Sequence, residues 1–260
     1  MNHYPWGQLS WADLMTTDVE GAKRFYSGLF GWDLRDTPSP MGGYYTQFYL
    51  HGRSICGAGE MNPEMRKQGM PPAWSVYVNI EDCERTCARA TEAGGKVLMP
   101  PMEVMDEGRM CMIADPSGAA LGGWQPKKHK GAGLYNEHGA LCWFELLSRD
   151  APAAKRFYTS VFGWAYKEGG DAKHAYSEIR VGETRHFAGI MPMPPGMDGV
   201  PSHWMPYFDV VEIQAAVKKV RELGGKVMRA PELIPDVGSF AVVADPQGAA
   251  FELLEYRGKR

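Results

Sequence analysis

The sequence predicts an α+β protein built from one domain written twice, and three observations lead to this class. Residues 11–32 and 143–164 share a pattern of Trp, Leu and Asp followed by Ala-Lys-Arg-Phe-Tyr and Phe-Gly-Trp. An Asp-Pro-x-Gly motif recurs at 115–118 and 245–248, at a nearly constant offset. Within each copy, strand-like segments alternate with segments of helical periodicity. Because a repeated sequence folds as repeated units, we expect two tandem domains, each made of two βαβββ modules.

The first helix of each copy has clear start and stop signals. Apolar residues follow Asp18 with helical spacing, and Gly31 stands directly behind them. Asp is a preferred N-cap residue and Gly a preferred residue just after a helix. Asp150 and Gly163 take the same places in the second copy, where Pro152 is tolerated in the first turn. We therefore expect equivalent helices at 18–30 and 150–163, each preceded by a strand at 9–15 and 141–147.

The remaining elements are also predicted in pairs. Glycine-punctuated apolar runs indicate strands, a Gly-Gly pair ends each second helix, and the Asp-Pro-x-Gly motif suits a type I turn after each closing strand. Segments rich in Met, Pro and Gly are expected to be linkers. The pairs are strands 44–50 and 174–181, second helices 82–93 and 212–223, closing strands 110–114 and 239–244, and linkers 61–72 and 191–201.

Length and repeat together set the expected domain boundaries. A chain of 260 residues can bury two hydrophobic cores. We expect a first domain at 1–126, a linker at 127–138 and a second domain at 139–260. The basic run Lys127-Lys128-His129-Lys130 within this linker is interpreted as solvated.

Composition narrows the classes of partner. The formal net charge is −3, which argues against nucleic acid or a membrane surface as the main partner. The first residues lack the pattern of a secretory signal, and no apolar stretch approaches the length of a membrane span, so the expected compartment is the cytoplasm. Five cysteines without metal-ligand spacing are expected to be reduced, with Cys83 and Cys87 packing on one helical face.

Two motifs of this chain resemble those of the vicinal oxygen chelate superfamily. One is the helix motif Asp-x-x-x-Ala-x-x-Phe-Tyr-x-x-x-Phe-Gly-Trp, and the other is the final strand motif Asp-Pro-x-Gly-x-x-x-Glu. That superfamily includes glyoxalase I, bleomycin-resistance proteins, fosfomycin-resistance enzymes and extradiol dioxygenases. The resemblance covers both copies and implies that paired modules form a cup-shaped mixed sheet. It also implies metal ligands, usually His and Glu, on the first strand of one module and the last strand of its partner, with the metal acting as a Lewis acid.

Carried over to this chain, the ligand positions are occupied unevenly. In the second copy His203 and Glu252 stand in register with family ligands, but the opening-strand position is Trp143. Glu145 shares a strand face with Trp143 and is the expected substitute, as a third ligand or as a general base. One imidazole and two carboxylates suit one divalent metal such as Mn, Fe, Zn or Ni, although the resemblance also allows no metal at all.

The first copy cannot build the same site. Its three ligand positions hold Trp11, Ala73 and Gly122, so its site is expected to be degenerate. Repeated aromatic and acidic residues are expected to line the cups and to bind a ligand, and these are Trp143, Trp204, Tyr207, Trp11, Asp13, Trp74 and Tyr77.

Structural interpretations of the same residues stay open. His203 follows a turn and could lie at the rim of a strand, and Glu252 could simply face solvent. Glu145 and Asp13 could make structural hydrogen bonds in both domains, because buried carboxylates are normally paired. The aromatic residues could belong to the core.

Three functions are therefore compatible with the sequence. The first is a metal-dependent lyase, isomerase or group transferase that acts through the second domain. The second is a metal-free protein that binds and sequesters a small molecule, as bleomycin-resistance proteins do. The third is a structural protein whose cups are filled by its own side chains, including some of its sixteen methionines. The expected partner is a small molecule, and the chain is expected to be a monomer or a homodimer.

Overall fold

A computed structural model describes residues 4–39, 42–170 and 175–258. The first copy contains β1 (Leu9–Thr16), α1 (Val19–Phe30), β2 (Asp33–Pro38), β3 (Tyr44–Leu50), β4 (Arg53–Glu60), α2 (Pro63–Lys67), β5 (Ala73–Asn79), α3 (Cys83–Glu92), β6 (Lys96–Val104), β7 (Gly108–Ala114) and β8 (Ala120–Pro126). The second copy contains β9 (Leu141–Ser148), α4 (Ala151–Phe162), β10 (Trp164–Gly170), β11 (Ala175–Val181), β12 (Ala188–Pro192), β13 (His203–Asp209), α5 (Ile213–Glu222), β14 (Lys226–Ile234), β15 (Gly238–Ala244) and β16 (Ala250–Tyr256).

The strands form two eight-stranded sheets of identical topology. Their orders are β2-β3-β4-β1-β5-β8-β7-β6 and β10-β11-β12-β9-β13-β16-β15-β14. Within each sheet the pairs β1/β4, β5/β8, β9/β12 and β13/β16 are parallel, whereas the hairpin pairs are antiparallel. The sheets are thus mixed, and the predicted α+β class with two βαβββ modules per copy is confirmed.

The first helix of each copy begins and ends at the predicted residues. Asp18 Oδ1 accepts a hydrogen bond from the Gly21 amide at 2.8 Å, and Asp150 Oδ1 accepts one from Ala153 at 2.9 Å. Gly31 and Gly163 both have a φ of 72°, the left-handed conformation that ends a helix at little cost in glycine. Local capping chemistry therefore sets both helices.

The Asp-Pro-x-Gly motifs form the predicted turns, whereas one predicted linker contains a short helix. The Gly118 amide donates to the Asp115 carbonyl at 2.9 Å, and Gly248 donates to Asp245 at 3.0 Å, as a four-residue turn requires. The predicted linker 61–72 contains the short helix α2, which Asn62 caps by accepting from the Met65 amide. Residue 174, the expected first residue of a strand, lies outside the described residues, and β11 begins at the next one.

The chain groups into two compact units, and each unit draws segments from both copies. The first unit contains the start of the chain to Trp11, Ser75–Gly131 and Trp143–Trp204. The second contains Ala12–Trp74, Ala132–Cys142 and the chain from Met205 onward. The domain boundaries expected from the sequence follow the repeat, and they stay a prediction.

Each unit has an aromatic core in which a phenylalanine of one copy reaches a glycine of the other. In the second unit, a Cβ added to Gly225 would lie 2.8 Å from Cε2 of Phe25. In the first unit, a Cβ added to Gly95 would lie 2.5 Å from Cε2 of Phe157. The second glycine of each Gly-Gly pair is therefore needed because a ring and a strand carbonyl, that of Ala114 or Ala244, occupy the space that a side chain would take.

The helices of this fold are short. α1 and α4 have 12 residues each. Among the described residues, no helix is both long and apolar enough to cross a bilayer.

Candidate functional site

Two of the predicted ligand-binding tryptophans lie in the core against the first helices. Trp204 Nε1 donates to the Tyr158 hydroxyl at 3.0 Å, and that hydroxyl donates to Asp115 Oδ2 at 3.2 Å. In the second unit, Trp74 Nε1 donates to Tyr26 at 3.1 Å, and Tyr26 donates to Asp245 Oδ2 at 3.1 Å. These two buried relays, Trp204–Tyr158–Asp115 and Trp74–Tyr26–Asp245, are equivalent. Burial raises the pKa of both tyrosine hydroxyls well above the usual range, so both stay protonated donors.

This placement favours the interpretation of Trp74 and Trp204 as core residues, and their role in ligand binding stays a prediction. Successive side chains of a strand point to opposite faces, so Trp74 and Tyr77, three residues apart, cannot share a face. The face that packs on the helices holds both tryptophans. We call the opposite side of each strand, on which Tyr77 and Tyr207 lie by this alternation, the helix-free face.

The opening strand of the second copy places Trp143 and Glu145 on the helix-free face of the first unit. Trp143 is half-buried, and its Nε1 donates to the Tyr176 hydroxyl at 2.9 Å. Glu145 is 6% exposed and pairs in register with Gly189 of the neighbouring strand β12. The Tyr176 ring fills the space above Gly189, where any side chain would collide with it. A strand glycine thus lets an aromatic hydroxyl approach the opening strand closely.

A second carboxylate follows one strand further on. Glu178 of β11 is also in register with Gly189, on the side away from Glu145. His186 Nδ1 lies 3.0 Å from Glu178 Oε2, and Lys167 Nζ lies 3.7 Å from Glu178 Oε1. The helix-free face of this module therefore offers an indole surface, a phenol and two acidic groups.

The equivalent acid of the first copy makes a short hydrogen bond. The Tyr45 hydroxyl donates to Asp13 Oδ1 at 2.6 Å, and the Tyr45 ring covers Gly57, which is in register with Asp13. Tyr45 and Tyr176 occupy matching positions. The pairing of a strand acid, a glycine and a covering tyrosine is thus a property of both copies, with Asp13 held by its tyrosine.

The equivalent tryptophan of the first copy is covered by the segment that follows β8. The His129 ring packs edge-on against Trp11 with centroids 4.3 Å apart, and against Trp124 at 5.5 Å. Trp124 Nε1 donates to the His129 carbonyl at 2.9 Å, which fixes the segment. Burial lowers the pKa of His129 to about 4, so the ring is neutral at pH 7. The basic run is therefore only partly solvated, because its histidine packs inward while Lys127 and Lys128 are exposed.

The closing modules of the two copies also differ on the helix-free face. In the first copy the Tyr77 ring occupies the space above Gly122, its partner in register. The neighbouring strands contribute methionines, with Met102 paired to Met110. At these positions the face is apolar, and the Tyr77 ring fills the space above Gly122.

In the second copy the same positions carry charge. Tyr207 is in register with Glu252, which is 2% exposed, so the interpretation of Glu252 as solvent-facing is wrong. Arg229 forms hydrogen bonds with Glu232 at 2.6 and 2.9 Å and lies over the Phe240 ring at 5.0 Å. The pKa of the Arg229 guanidinium is raised, mainly by its hydrogen bond to Glu232 and to a smaller extent by the nearby Glu252 carboxylate. Glu252 therefore lies in the field of a permanent cation.

The donor set does not fit the three-ligand metal site that the sequence suggested. The Trp143 side chain has only an N–H donor, which is directed to Tyr176. His203 Nδ1 lies 2.8 Å from the Pro201 carbonyl and must carry a proton, so Nε2 is its one lone-pair nitrogen. Across the described ranges, no three or more His, Cys, Asp or Glu side chains converge in a way that could hold a metal ion. The Trp143 position therefore supplies no ligand atom, and the ligand set of His203, Glu145 and Glu252 stays a prediction from the sequence.

Sequence reasoning missed Tyr45, Tyr176 and His129. The signal for the two tyrosines was the isolated glycines Gly57 and Gly189 within strand patterns, since such glycines mark close approach of another group. No local signal identified His129, because its role depends on the path of a linker.

Comparison with known proteins gives a consistent result for the whole chain. The sequence profile of the Glyoxalase/Bleomycin resistance protein/Dioxygenase superfamily matches residues 8–122 and 140–253. A protein of Mycobacterium tuberculosis named Putative glyoxylase CFP32 is 40% identical over 256 residues, which cover 98% of this chain and 97% of that protein. The anthracycline biosynthesis protein DnrV of Streptomyces peucetius is 33% identical over 268 residues, which cover 99% and 96%.

Solved structures with the same fold are more distant in sequence. The Mn(II)-bound glyoxalase from Novosphingobium aromaticivorans superposes with a TM-score of 0.66 at 14% identity, over 97% of this chain and 84% of that one. BphC, a halotolerant catechol dioxygenase, superposes with a TM-score of 0.65 at 15% identity, over 99% and 92%. At these identities the likeness concerns the fold alone.

Proposed function

Because the chain belongs to the Glyoxalase/Bleomycin resistance protein/Dioxygenase superfamily, we propose that it binds a flat, hydroxyl-bearing aromatic molecule without a resident metal. The site is the helix-free face of the second copy around Trp143, Glu145 and Tyr176. This is the metal-free binding function among those that the sequence allows.

One observation carries the proposal, namely the opposite states of two equivalent tryptophans. Trp11 is 4% exposed and is covered by His129, so the first copy presents no free indole surface at this position. Trp143 is half-buried and is held by a hydrogen bond at its edge to Tyr176. An indole that is fixed at its edge and only half-buried suits a planar ligand, because aromatic rings pack in offset or edge-to-face geometry.

The polar groups of the same face define the ligand further. Glu145 of β9 and Glu178 of β11 are both in register with Gly189 of β12, the strand between them. Both carboxylates therefore lie on the same face of the sheet. Carboxylate oxygens accept hydrogen bonds and therefore select ligands with hydroxyl or amino donors. The Tyr176 hydroxyl accepts a hydrogen bond from Trp143 and so fixes the indole on the same face as these carboxylates. A phenol or hydroxyquinone offers both a planar ring and hydroxyl donors.

The names of two relatives support a small-molecule ligand. One is an anthracycline biosynthesis protein and another carries the name of a glyoxylase, and both align over nearly the full chain. Five free thiols agree with a reducing compartment, and we infer the cytoplasm as its location.

Equilibrium dialysis against quinizarin, a dihydroxyanthraquinone, tests the proposal. Protein treated with EDTA is expected to bind the dye, and Trp143→Leu is expected to weaken binding by about tenfold, or ~1.4 kcal/mol. Trp11→Leu is the matched control, because it changes the equivalent residue of the covered copy and is expected to leave affinity within about twofold. Circular dichroism checks that both variants fold.

Two outcomes would count against the proposal. An equal loss of affinity in both variants would place binding elsewhere. Binding that appears only after Mn, Fe, Zn or Ni is added would favour the metal-dependent lyase or isomerase. Metal content of protein purified without chelator, compared with His203→Ala, separates that enzyme from the binding protein.

A further inference from the structure

Three cysteines of the first unit converge where helix α3 lies on strand β7. Cys83 is the first residue of α3, and Cys87 follows one turn later on the same buried side. Cys111 is the central residue of β7 and is fully buried. All three are free thiols. This cluster, Cys83, Cys87 and Cys111, lies outside the proposed ligand site.

The repeat shows that packing alone does not require sulfur here. The equivalent positions of the second copy hold Ile213, Val217 and Ala241, all buried between α5 and β15. These aliphatic residues fill the same joint between helix and sheet. The thiols of the first copy therefore add a chemical capacity that the second copy lacks.

The environment of the cluster favours one reactive thiol. The Cys111 thiol donates a hydrogen bond to Cys83, which lowers the pKa of Cys83, and the Arg109 guanidinium lowers it further. Cys83 also occupies the first turn of a helix, where backbone amides favour an anionic side chain. The Cys83 contact raises the pKa of Cys111, and burial raises that of Cys87. Of the three thiols, Cys83 is thus the one whose ionisation the surroundings favour, whereas those of Cys87 and Cys111 are disfavoured.

We propose that the α3–β7 joint is an oxidation site, in which hydrogen peroxide converts Cys83 and Cys111 into a reversible disulfide. The Cys83 thiolate attacks the peroxide oxygen, so that an S–O bond forms, the O–O bond breaks, and the leaving hydroxide takes a proton to become water. Cys111 then attacks the sulfenic sulfur, and the second oxygen leaves as water. Two thiols are oxidised by two electrons while one peroxide is reduced to two waters.

Access to the cluster comes from the start of α3. The residues on either side of Cys83, Asp82 and Glu84, are not buried, and Glu84 holds Arg109 by a hydrogen bond of 2.9 Å. Fraying of one helical turn is a low-energy motion and exposes Cys83 to a molecule as small as hydrogen peroxide. The resulting disulfide would tie α3 to β7 covalently.

The chain offers a direct experiment, because trypsin separates the three cysteines. Cleavage after Arg85, Arg89 and Arg109 puts Cys83, Cys87 and Cys111 on different peptides. Native protein is treated with hydrogen peroxide, blocked with N-ethylmaleimide, digested without reductant and mapped by mass spectrometry. The expected result is a Cys83–Cys111 cross-linked peptide in most chains, and its loss on treatment with dithiothreitol.

Internal controls make the test decisive. Cys56 and Cys142 are buried thiols outside the cluster and are expected to remain free. Cys83→Ile introduces the residue of the second copy and is expected to abolish the cross-link. A cross-link from Cys87 instead, irreversible over-oxidation without any disulfide, or oxidation of all five cysteines at similar rates would overturn the proposal. Mapping of the native protein gives the answer even if the variant folds poorly.

Discussion

The two copies have kept one side of their sheets alike and changed the other. On the helix face, the relays Trp74–Tyr26–Asp245 and Trp204–Tyr158–Asp115 have the same atoms and nearly the same distances. On the helix-free face, Trp11 lies under His129, whereas the equivalent Trp143 is held by Tyr176 and stays half-buried. The comparison teaches that the fold depends on the helix face, so that the helix-free face could diverge in charge and access.

The largest expected effect tests whether the helix faces are equivalent. Phe25→Ala and Phe157→Ala each remove a buried ring that packs against the glycine of the other copy. Each change is expected to lower the free energy of unfolding by about 3–5 kcal/mol through lost burial and a cavity. Urea denaturation measures both. Losses that differ by more than about 2 kcal/mol would break the equivalence.

The buried relays give the next largest effect. Tyr26→Phe and Tyr158→Phe remove one hydroxyl and leave a buried carboxylate and an indole N–H without that partner. We expect each variant to lose about 1–3 kcal/mol of unfolding free energy, because unmet buried polar groups keep their full desolvation cost. Tyr49→Phe is the control, since its hydroxyl contacts Gln47 near the surface. A loss in the control as large as in the relays would contradict the assignment.

The covering histidine predicts a pH dependence that belongs to the first copy. Burial holds the pKa of folded His129 at about 4, below its ordinary value of 6.5. The unfolded chain therefore binds a proton first, and stability should be greatest above pH 6.5 and fall as the pH drops from 6.5 towards 4. For this half-buried group the loss should be on the order of 1–2 kcal/mol.

His129→Phe provides the comparison for this pH effect. The variant keeps an aromatic ring against Trp11 and removes the titrating group, so its unfolding free energy should fall less than that of the parent over the same pH range. Other groups titrate equally in both proteins and cancel in the difference. Parallel pH profiles would refute a burial-driven pKa shift.

The smallest expected effects distinguish the roles of Tyr45 and Tyr176, whose rings cover strand glycines in the two copies. Tyr45→Phe removes the hydrogen bond to Asp13 and should cost roughly 0.5–1.5 kcal/mol of stability, with little effect on quinizarin binding. Tyr176→Phe removes the acceptor of Trp143 and should instead weaken quinizarin binding several-fold. Thermal unfolding and dialysis on both variants give the two readouts. The reverse assignment would move the site to the first copy.

Much of the fold could be predicted because its signals are local. Asp18, Gly31 and the Asp-Pro-x-Gly turns act through neighbouring backbone groups, and the observed elements begin and end within about two residues of the predicted ones. Even the second glycine of each Gly-Gly pair was identified by the repeat, although its reason, contact with Phe25 or Phe157, became clear only in three dimensions.

The candidate site was harder to predict because its residues meet through register and chain path. Trp74 and Tyr77 were both expected to bind a ligand, although the period of two along a strand puts them on opposite faces. His129 was interpreted as solvated because its neighbours are lysines, and only the turn of the chain after Trp124 brings it onto Trp11. The burial of Glu252 depends on strands that are distant in sequence.

Each compact unit is assembled from pieces of both copies, and this has a consequence for how the two helix-free faces could diverge. A single copy expressed by itself would lack the partner segments of either unit and would have to borrow them from a second molecule. In the tandem chain these segments belong to one molecule, so their association does not depend on concentration. In a pair of identical chains every substitution would appear twice. In the tandem chain Trp11 is covered while the equivalent Trp143 stays half-buried, so one half can specialise without the other.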